Sequence, residues 1–161
     1  MRKVMYPGSF DPITIGHLDL IERSSKMFDH VVVALMVNDE KHYTFTAEQR
    51  KKMVEECVSH LENVTVALGS GLTVDFAQEM DCSVLIRGIR AVMDYEAELQ
   101  QATANRTLNE NIETLFLVAS PKYSFISSSI ARTVASYGGE LRQFVPHNVE
   151  QNMRKIFGEK K

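Results

Sequence analysis

Cysteine is scarce in this chain: Cys57 and Cys82 are the only two in 161 residues, and they do not form a Cys-x-x-Cys pair. Cys57 falls in a helical pattern and Cys82 opens an apolar run, so both read as buried thiols rather than a disulfide or a metal site. The five histidines are scattered without metal-ligand spacing, and no structural metal is expected. No apolar run approaches the roughly eighteen residues of a membrane span, and no secretory leader pattern opens the chain. A soluble, cytoplasmic protein is expected. Positive charge is not in excess either. The net charge is −3 and the pI near 6.0, which argues against a nucleic-acid or anionic-membrane surface and still allows a local basic pocket. Two nucleotide-binding signatures are missing. Gly69-Ser70-Gly71 runs on into Leu72-Thr73-Val74 without the third glycine of Gly-x-Gly-x-x-Gly, and no Gly-Lys-Ser/Thr of a P-loop occurs. Linkers, repeats and low-complexity segments are absent too.

What is present is enough apolar sequence, 44% of residues, to build a core. The length fits one domain spanning 1–161. Short apolar runs alternate with amphipathic ones. The runs predict strands over Lys3–Tyr6, Val31–Val37, Val64–Leu68, Val84–Arg87 and Thr114–Val118. They are nearly continuous in Val and Leu, the pattern of strands buried on both faces. Helices are predicted over Ile15–Phe28, Ala47–Leu61, Leu72–Met80, Val92–Leu108, Ser128–Tyr137 and His147–Phe157. Thr46 with Gln49 forms a capping box, Gly138-Gly139 ends one helix and Pro146 starts the last. Strands joined by helical crossovers imply an α/β fold, a doubly wound five-stranded parallel sheet of Rossmann-like type. Ligands in such folds sit outside the carboxyl ends of the strands.

The most informative segment lies at the first such end: Tyr6-Pro7-Gly8-Ser9-Phe10-Asp11-Pro12-Ile13-Thr14-Ile15-Gly16-His17. A strand, a Gly/Pro turn and a helix opening on Gly-His make a backbone device for holding phosphate. Gly8 can take a positive φ and lets main chain approach a ligand closely. Thr14 is the expected N-cap, and Gly16 keeps the helix start clear. His17 then falls in the first turn, where free N–H groups favour an anion. That helix terminus disfavours an imidazolium whereas phosphates favour one, so the charge of His17 stays open. Ser9 adds a hydroxyl. The string resembles the signature of the nucleotidyltransferase superfamily with a (H/T)-x-G-H motif, here Thr14-Ile15-Gly16-His17. Members move a nucleotidyl group from an NTP to a phosphate or carboxylate and release pyrophosphate.

The other strand ends carry further candidates. Lys41 follows the second strand. Thr73 follows the third, in a first helical turn where capping is the competing role. Arg87-Gly88-Ile89-Arg90 follows the fourth, and a guanidinium pairs with phosphate at two points. Beyond it, Asp94, Glu96 and Glu98 form an acidic segment, either a solvated face or, through Glu98, a ribose contact. After the fifth strand, Tyr123-Ser124-Phe125-Ile126-Ser127-Ser128-Ser129 opens a helix with three hydroxyls, a second anion cradle suited to the outer phosphates of a triphosphate.

Taken together and in order, these motifs resemble the bacterial-type phosphopantetheine adenylyltransferase family over essentially the whole chain. The resemblance implies transfer of the adenylyl group of ATP to 4′-phosphopantetheine, with Mg²⁺ as cofactor, in a cytoplasmic homo-oligomer, typically a hexamer. It implies that Ser9, Lys41, Thr73 and Arg87 meet phosphopantetheine. It implies that Ser9, Phe10, His17, Gly88, Ile89, Arg90, Glu98 and Tyr123 through Ser129 meet ATP, with His17, Lys41, Ser9 and Arg90 acting on the reaction. Ser9 stands where family members often have Thr, which keeps the hydroxyl. The nearest rival is a superfamily enzyme using another acceptor or CTP. A nucleotide-sensing domain that kept the fold is a rival of a different class.

Overall fold

The computed structural model describes residues 1–159; Lys160 and Lys161, the end of the predicted domain, lie outside them. Its centre is a parallel sheet of β1 (Lys3–Gly8), β2 (His30–Val37), β3 (Val64–Ser70), β4 (Val84–Ile89) and β5 (Glu113–Val118), in the order β3-β2-β1-β4-β5. The chain therefore starts in the middle, winds outward, and returns to wind the other way. β1 runs beside β2 from Lys3–His30 to Gly8–Leu35, but it pairs with β4 only at Val4–Val84 and Met5–Leu85. The ladder ends where the strand order reverses, which leaves a crevice between the carboxyl ends of β1 and β4. Pro7 fits here because its carbonyl faces Arg87 of β4. The N–H it lacks falls on the side where pairing has already stopped.

Helices α1 (Ile15–Met27), α2 (Ala47–Val58), α5 (Ser128–Ser136) and α6 (His147–Phe157) cover one face of the sheet. There Leu20, Ile21, Met53, Val54, Ala131 and Met153 pack on Val31, Val33, Leu35 and Ile86. The opposite face holds α3 (Thr73–Glu79) and α4 (Val92–Leu108), with Val74, Phe76 and Ala77 packed on Met5, Val32, Ala34 and Leu85. Alternate residues of β2 thus serve both cores, as its unbroken apolar sequence requires. Right-handed crossovers dictate this division, because α3 and α4 travel across the sheet in the opposite sense to α1 and α2.

Every predicted element is present, α4 and α6 with the predicted ends and the others with altered ones. β1 continues through Pro7-Gly8, β3 through Gly69-Ser70 and β4 through Gly88-Ile89, so several motif residues are strand residues. α2 stops at Val58 rather than Leu61, and a 3₁₀ turn at Pro121–Tyr123 precedes the serine run. Cys82 lies before β4, buried, with its N–H donating to the Ala77 carbonyl at 2.8 Å. Burial on both faces holds for β1 and β2 and fails at the edges. Leu68 of β3 and Leu115 and Val118 of β5 are exposed, because the helices do not reach past the outermost strands. α4 contributes no buried residue at all. Among the described residues, no helix is long and apolar enough to cross a membrane.

Candidate active site

The turn after β1 is held by its own aromatic ring. Phe10 takes φ 48°, a left-handed conformation costly for a bulky residue. Its ring packs edge-on against Tyr6 at 5.3 Å and His17 at 5.0 Å. Gly8 does not use the positive φ open to a glycine. It is glycine for a steric reason: a Cβ there would lie 3.0 Å from Cε2 of Phe10. Asp11 is buried, and its carboxylate accepts the N–H groups of Thr44 at 2.8 Å and Phe45 at 3.0 Å. The first turn is thereby tied to the segment after β2.

His17 is the third residue of α1 and completes a capping box. The Thr14 hydroxyl accepts the His17 N–H at 3.2 Å, and His17 Nδ1 accepts the Thr14 N–H at 3.0 Å. Nδ1 is therefore unprotonated, and the ring proton sits on Nε2. Burial, with Arg87 and Arg90 nearby, pushes the imidazole down to about 4. Both the Thr14 N–H aimed at Nδ1 and the lowered value favour His17 as a neutral Nε2–H donor in the free protein.

On β4, Arg87 donates from Nε to Glu98 Oε2 at 2.7 Å, from Nη2 to Glu98 Oε1 at 2.6 Å, and from Nη1 to the Pro7 carbonyl. Burial opposes its charge, but the hydrogen bonds and charge of Glu98 outweigh it and the guanidinium is held above its ordinary value. Tyr6, buried beside this pair, is pushed up to about 12 by desolvation. Arg90 donates from Nη1 to the Ile126 carbonyl at 2.8 Å and from Nε to Asp94 Oδ2 at 3.0 Å. Asp94 is pulled up by burial and pulled down further by Arg90, ending below its ordinary value. Gly88 lies between the two arginines for a packing reason: a Cβ there would fall 2.5 Å from Cδ1 of Leu20.

The serine run divides its labour. Ser127 caps α5 by accepting the Ile130 N–H at 3.1 Å, and Ser128 donates to the Pro12 carbonyl at 2.7 Å. Arg132, one turn on, donates to the Asp11 carbonyl at 2.6 Å. Among the described residues, the N–H groups of Ser128 and Ser129 have no acceptor and remain free for an anion.

These elements enclose two clefts with a common wall. The larger, about 700 Å³, is bordered by Lys41, Thr73, Asn38, Tyr43, Gln101 and Asn105. The smaller, about 300 Å³, is bordered by His17, Phe10, Gly88, Arg90, Tyr123 and Ser127. Pro7, Gly8, Ser9, Arg87 and Glu98 border both. Thr73 is the first residue of α3 rather than its cap, since Leu72 holds that position, and it borders the larger cleft. Ile126 and Ser128 also line the smaller cleft. Ile89, Ser124, Phe125 and Ser129 line neither. The Ile89 carbonyl accepts from Ala119, Ser124 donates to the Pro121 carbonyl, and Phe125 packs edge-on against Phe144 at 5.8 Å. Among the described residues, no group of three or more His, Cys, Asp or Glu could hold a metal. The carboxylates nearest the smaller cleft, Asp94 and Glu98, are engaged by Arg90 and Arg87.

Residues 5–134 match the family model described as cytidylyltransferase-like. The chain is 53% identical over 158 residues to a phosphopantetheine adenylyltransferase of Finegoldia magna, covering 98% of each chain. The chain belongs to the phosphopantetheine adenylyltransferase family. Two further adenylyltransferases of that name, from Gloeobacter violaceus and Prochlorococcus marinus, are 50% and 47% identical and are covered to 95% and 98% of their lengths. The smaller cleft holds the Thr14-x-Gly16-His17 signature that this adenylyltransferase family shares with its superfamily.

Asp11, Asp94 and Arg50 (a buried residue of α2 that donates to the Ser9 carbonyl at 2.6 Å) were not legible as site residues. Asp94 carried one readable signal, its position four residues after Arg90 on an incipient helix. The other two act across more than thirty residues of sequence and left none.

Proposed function

We propose that this chain transfers the adenylyl group of ATP to 4′-phosphopantetheine, giving 3′-dephospho-coenzyme A and pyrophosphate, by in-line attack of the acceptor phosphate on the α-phosphorus. The observation that carries the reading is the wall of Ser9 and Arg87 shared by the two clefts. A triphosphate in the smaller cleft and a phosphate acceptor in the larger one would meet there. The acceptor phosphate is already an anionic nucleophile, so no general base is required. Catalysis rests on alignment, able to supply about 7–11 kcal/mol, and on charge stabilisation. His17 Nε2–H donates to the oxygens that gain charge at the α-phosphorus, worth about 3–4 kcal/mol by analogy with oxyanion donors. Lys41, Ser9, Thr73 and Arg87 hold the acceptor. Arg90 with the N–H groups of Ser128 and Ser129 and the hydroxyl proton of Ser127 takes the departing pyrophosphate. Phe10, Gly88, Tyr123 and Ile126 frame the nucleotide, with Ile89, Ser124 and Phe125 behind that wall rather than on it, and Glu98, which borders the cleft, can accept a ribose hydroxyl through a lone pair that Arg87 leaves free.

Mg²⁺ is the proposed cofactor, and bound to a triphosphate it neutralises phosphoryl charge. The described residues do not build a metal cage, since both nearby carboxylates are paired with arginine; an ion carried on phosphate oxygens and water fits that donor set better. We further place the enzyme in the cytoplasm, as one domain over 1–161 and as a homo-oligomer, a hexamer by family resemblance. The exposed apolar residues of α4, Val92 at 75% and Met93 at 82%, offer a surface for such assembly.

Incubation with ATP and 4′-phosphopantetheine should yield equal amounts of 3′-dephospho-coenzyme A and pyrophosphate, and an α-thio ATP of one configuration should give inverted product. Absence of 3′-dephospho-coenzyme A would sink the assignment, and retained configuration would sink the single displacement.

A further inference from the structure

Arg50, in the first turns of α2, is 1% exposed. A guanidinium is rarely that buried without a carboxylate partner, and among the described residues none lies within ion-pair distance. Instead Nη1 donates to the Ser9 carbonyl at 2.6 Å, the Tyr43 ring lies 3.9 Å from the guanidinium carbon, and Nε is buried without a partner. The Tyr43 hydroxyl accepts the Asn38 N–H at 3.0 Å, and the Asn38 carbonyl accepts the Lys41 N–H at 3.0 Å. A continuous set of contacts therefore runs from Ser9 through Arg50, Tyr43 and Asn38 to Lys41.

Both ends of that set border the larger cleft. A further cavity of about 340 Å³, bordered by Lys41 and Arg50, lies against the Lys41 segment, whose remaining local bonds are Glu40 N–H to Asn38 Oδ1 at 3.0 Å and the Tyr43 hydroxyl to the Met36 carbonyl at 3.5 Å. Across the fold, the Asp11 carboxylate also anchors the segment, holding Thr44 and Phe45 but not Lys41 itself.

We infer that Arg50 is a positioning residue: by bonding the Ser9 carbonyl and stacking on Tyr43, it sets the separation of Ser9 and Lys41 across the acceptor cleft. The cost of burying an unpaired cation is borne because the two groups that orient the attacking phosphate arise from different strands and need a rigid bridge. This rests on the proposed function, in which Ser9 and Lys41 hold the acceptor. Arg50 itself borders neither of the two clefts.

The test compares the full chain with Arg50→Met, Arg50→Lys and Tyr43→Leu, and with Lys41→Ala alone and combined with Arg50→Met. Arg50→Met should lower kcat by about 10²-fold, the scale of a misplacement near 1 Å, with ATP affinity by calorimetry unchanged. Arg50→Lys should recover part of that loss. In the Lys41→Ala background the same substitution should cost little more, because the two act as a unit. Amide exchange over residues 38–45 should quicken in Arg50→Met. Tyr43→Leu should move each quantity in the same direction by less, and it decides the matter if Arg50→Met does not fold. Normal kcat with unchanged exchange, or fully additive losses in the double variant, would overturn the inference. A parent protein inactive on these substrates would defeat the functional reading instead, and exchange over 38–45 would then decide the role of Arg50.

Discussion

Arg87 and Glu98 meet at two points, Nε to Oε2 at 2.7 Å and Nη2 to Oε1 at 2.6 Å, across the gap between β4 and α4. The third direction of the guanidinium is held by the Pro7 carbonyl. Arg87 is thus presented to both clefts in one orientation, and that orientation depends on a carboxylate from a helix with no buried residue. A free arginine at the same place would lose side-chain entropy on meeting an acceptor; this one has already lost it.

Arg87→Ala should raise the phosphopantetheine KM selectively, by about 10- to 100-fold, the worth of one charged hydrogen bond. Glu98→Gln should reproduce part of that rise without removing the cation. Arg87→Lys should not rescue, because an ammonium cannot make the two-point pair. Steady-state kinetics with each substrate varied in turn checks all three, and an effect confined to ATP would overturn the assignment of Arg87.

His17→Ala should lower kcat by about two to three orders of magnitude, the effect of removing one preorganised donor. ATP affinity should change little. Near-normal turnover in this variant would remove His17 from the mechanism.

The neutral state of His17 has a consequence for pH. Its folded value of about 4 lies below the ordinary 6.5, so between those values the unfolded chain binds more protons. The stabilisation is complete above pH 6.5 and is lost as pH falls toward 4, by about 3 kcal/mol in all at 1.36 kcal/mol per unit. Denaturant melts should show this slope in the parent and lack it in His17→Gln. ¹⁵N spectra should show a protonated Nε2 and a bare Nδ1 from pH 6 to 8, and a midpoint near 6.5 would contradict the burial argument.

Gly88→Ala forces a methyl group to 2.5 Å from Leu20. Overpacking of this kind costs about 1–3 kcal/mol, and because the same residues border the nucleotide cleft, ATP affinity should fall along with Tm. Leu20→Ala in combination should restore the ATP affinity while leaving the protein less stable than the parent.

Much of this architecture was legible because local sequence and global fold agree. Val31 to Val37 has the unbroken apolar content of a strand serving two cores, and Thr46-x-x-Gln49 closes the capping box it spells. Edge exposure at Leu115 and Val118 was not legible, since apolar content does not reveal which strand is outermost. Lys41, Thr73, His17, Arg87 and Arg90 were legible as residues at strand ends, and they border the two clefts because clefts in this fold class open there. The supports behind them were not. Asp11 and Arg50 act on residues brought close only by the fold, and the steric reason for Gly8 was hidden because the ring that excludes its side chain belongs to Phe10, whose positive φ no local rule anticipates.

The most direct test is pyrophosphate release measured across ATP and CTP, each with 4′-phosphopantetheine, nicotinamide mononucleotide and glycerol phosphate. Efficient turnover is predicted for ATP with 4′-phosphopantetheine and for no other pair. Preference for CTP or for another acceptor, or ATP binding with no turnover of any acceptor, would contradict the account.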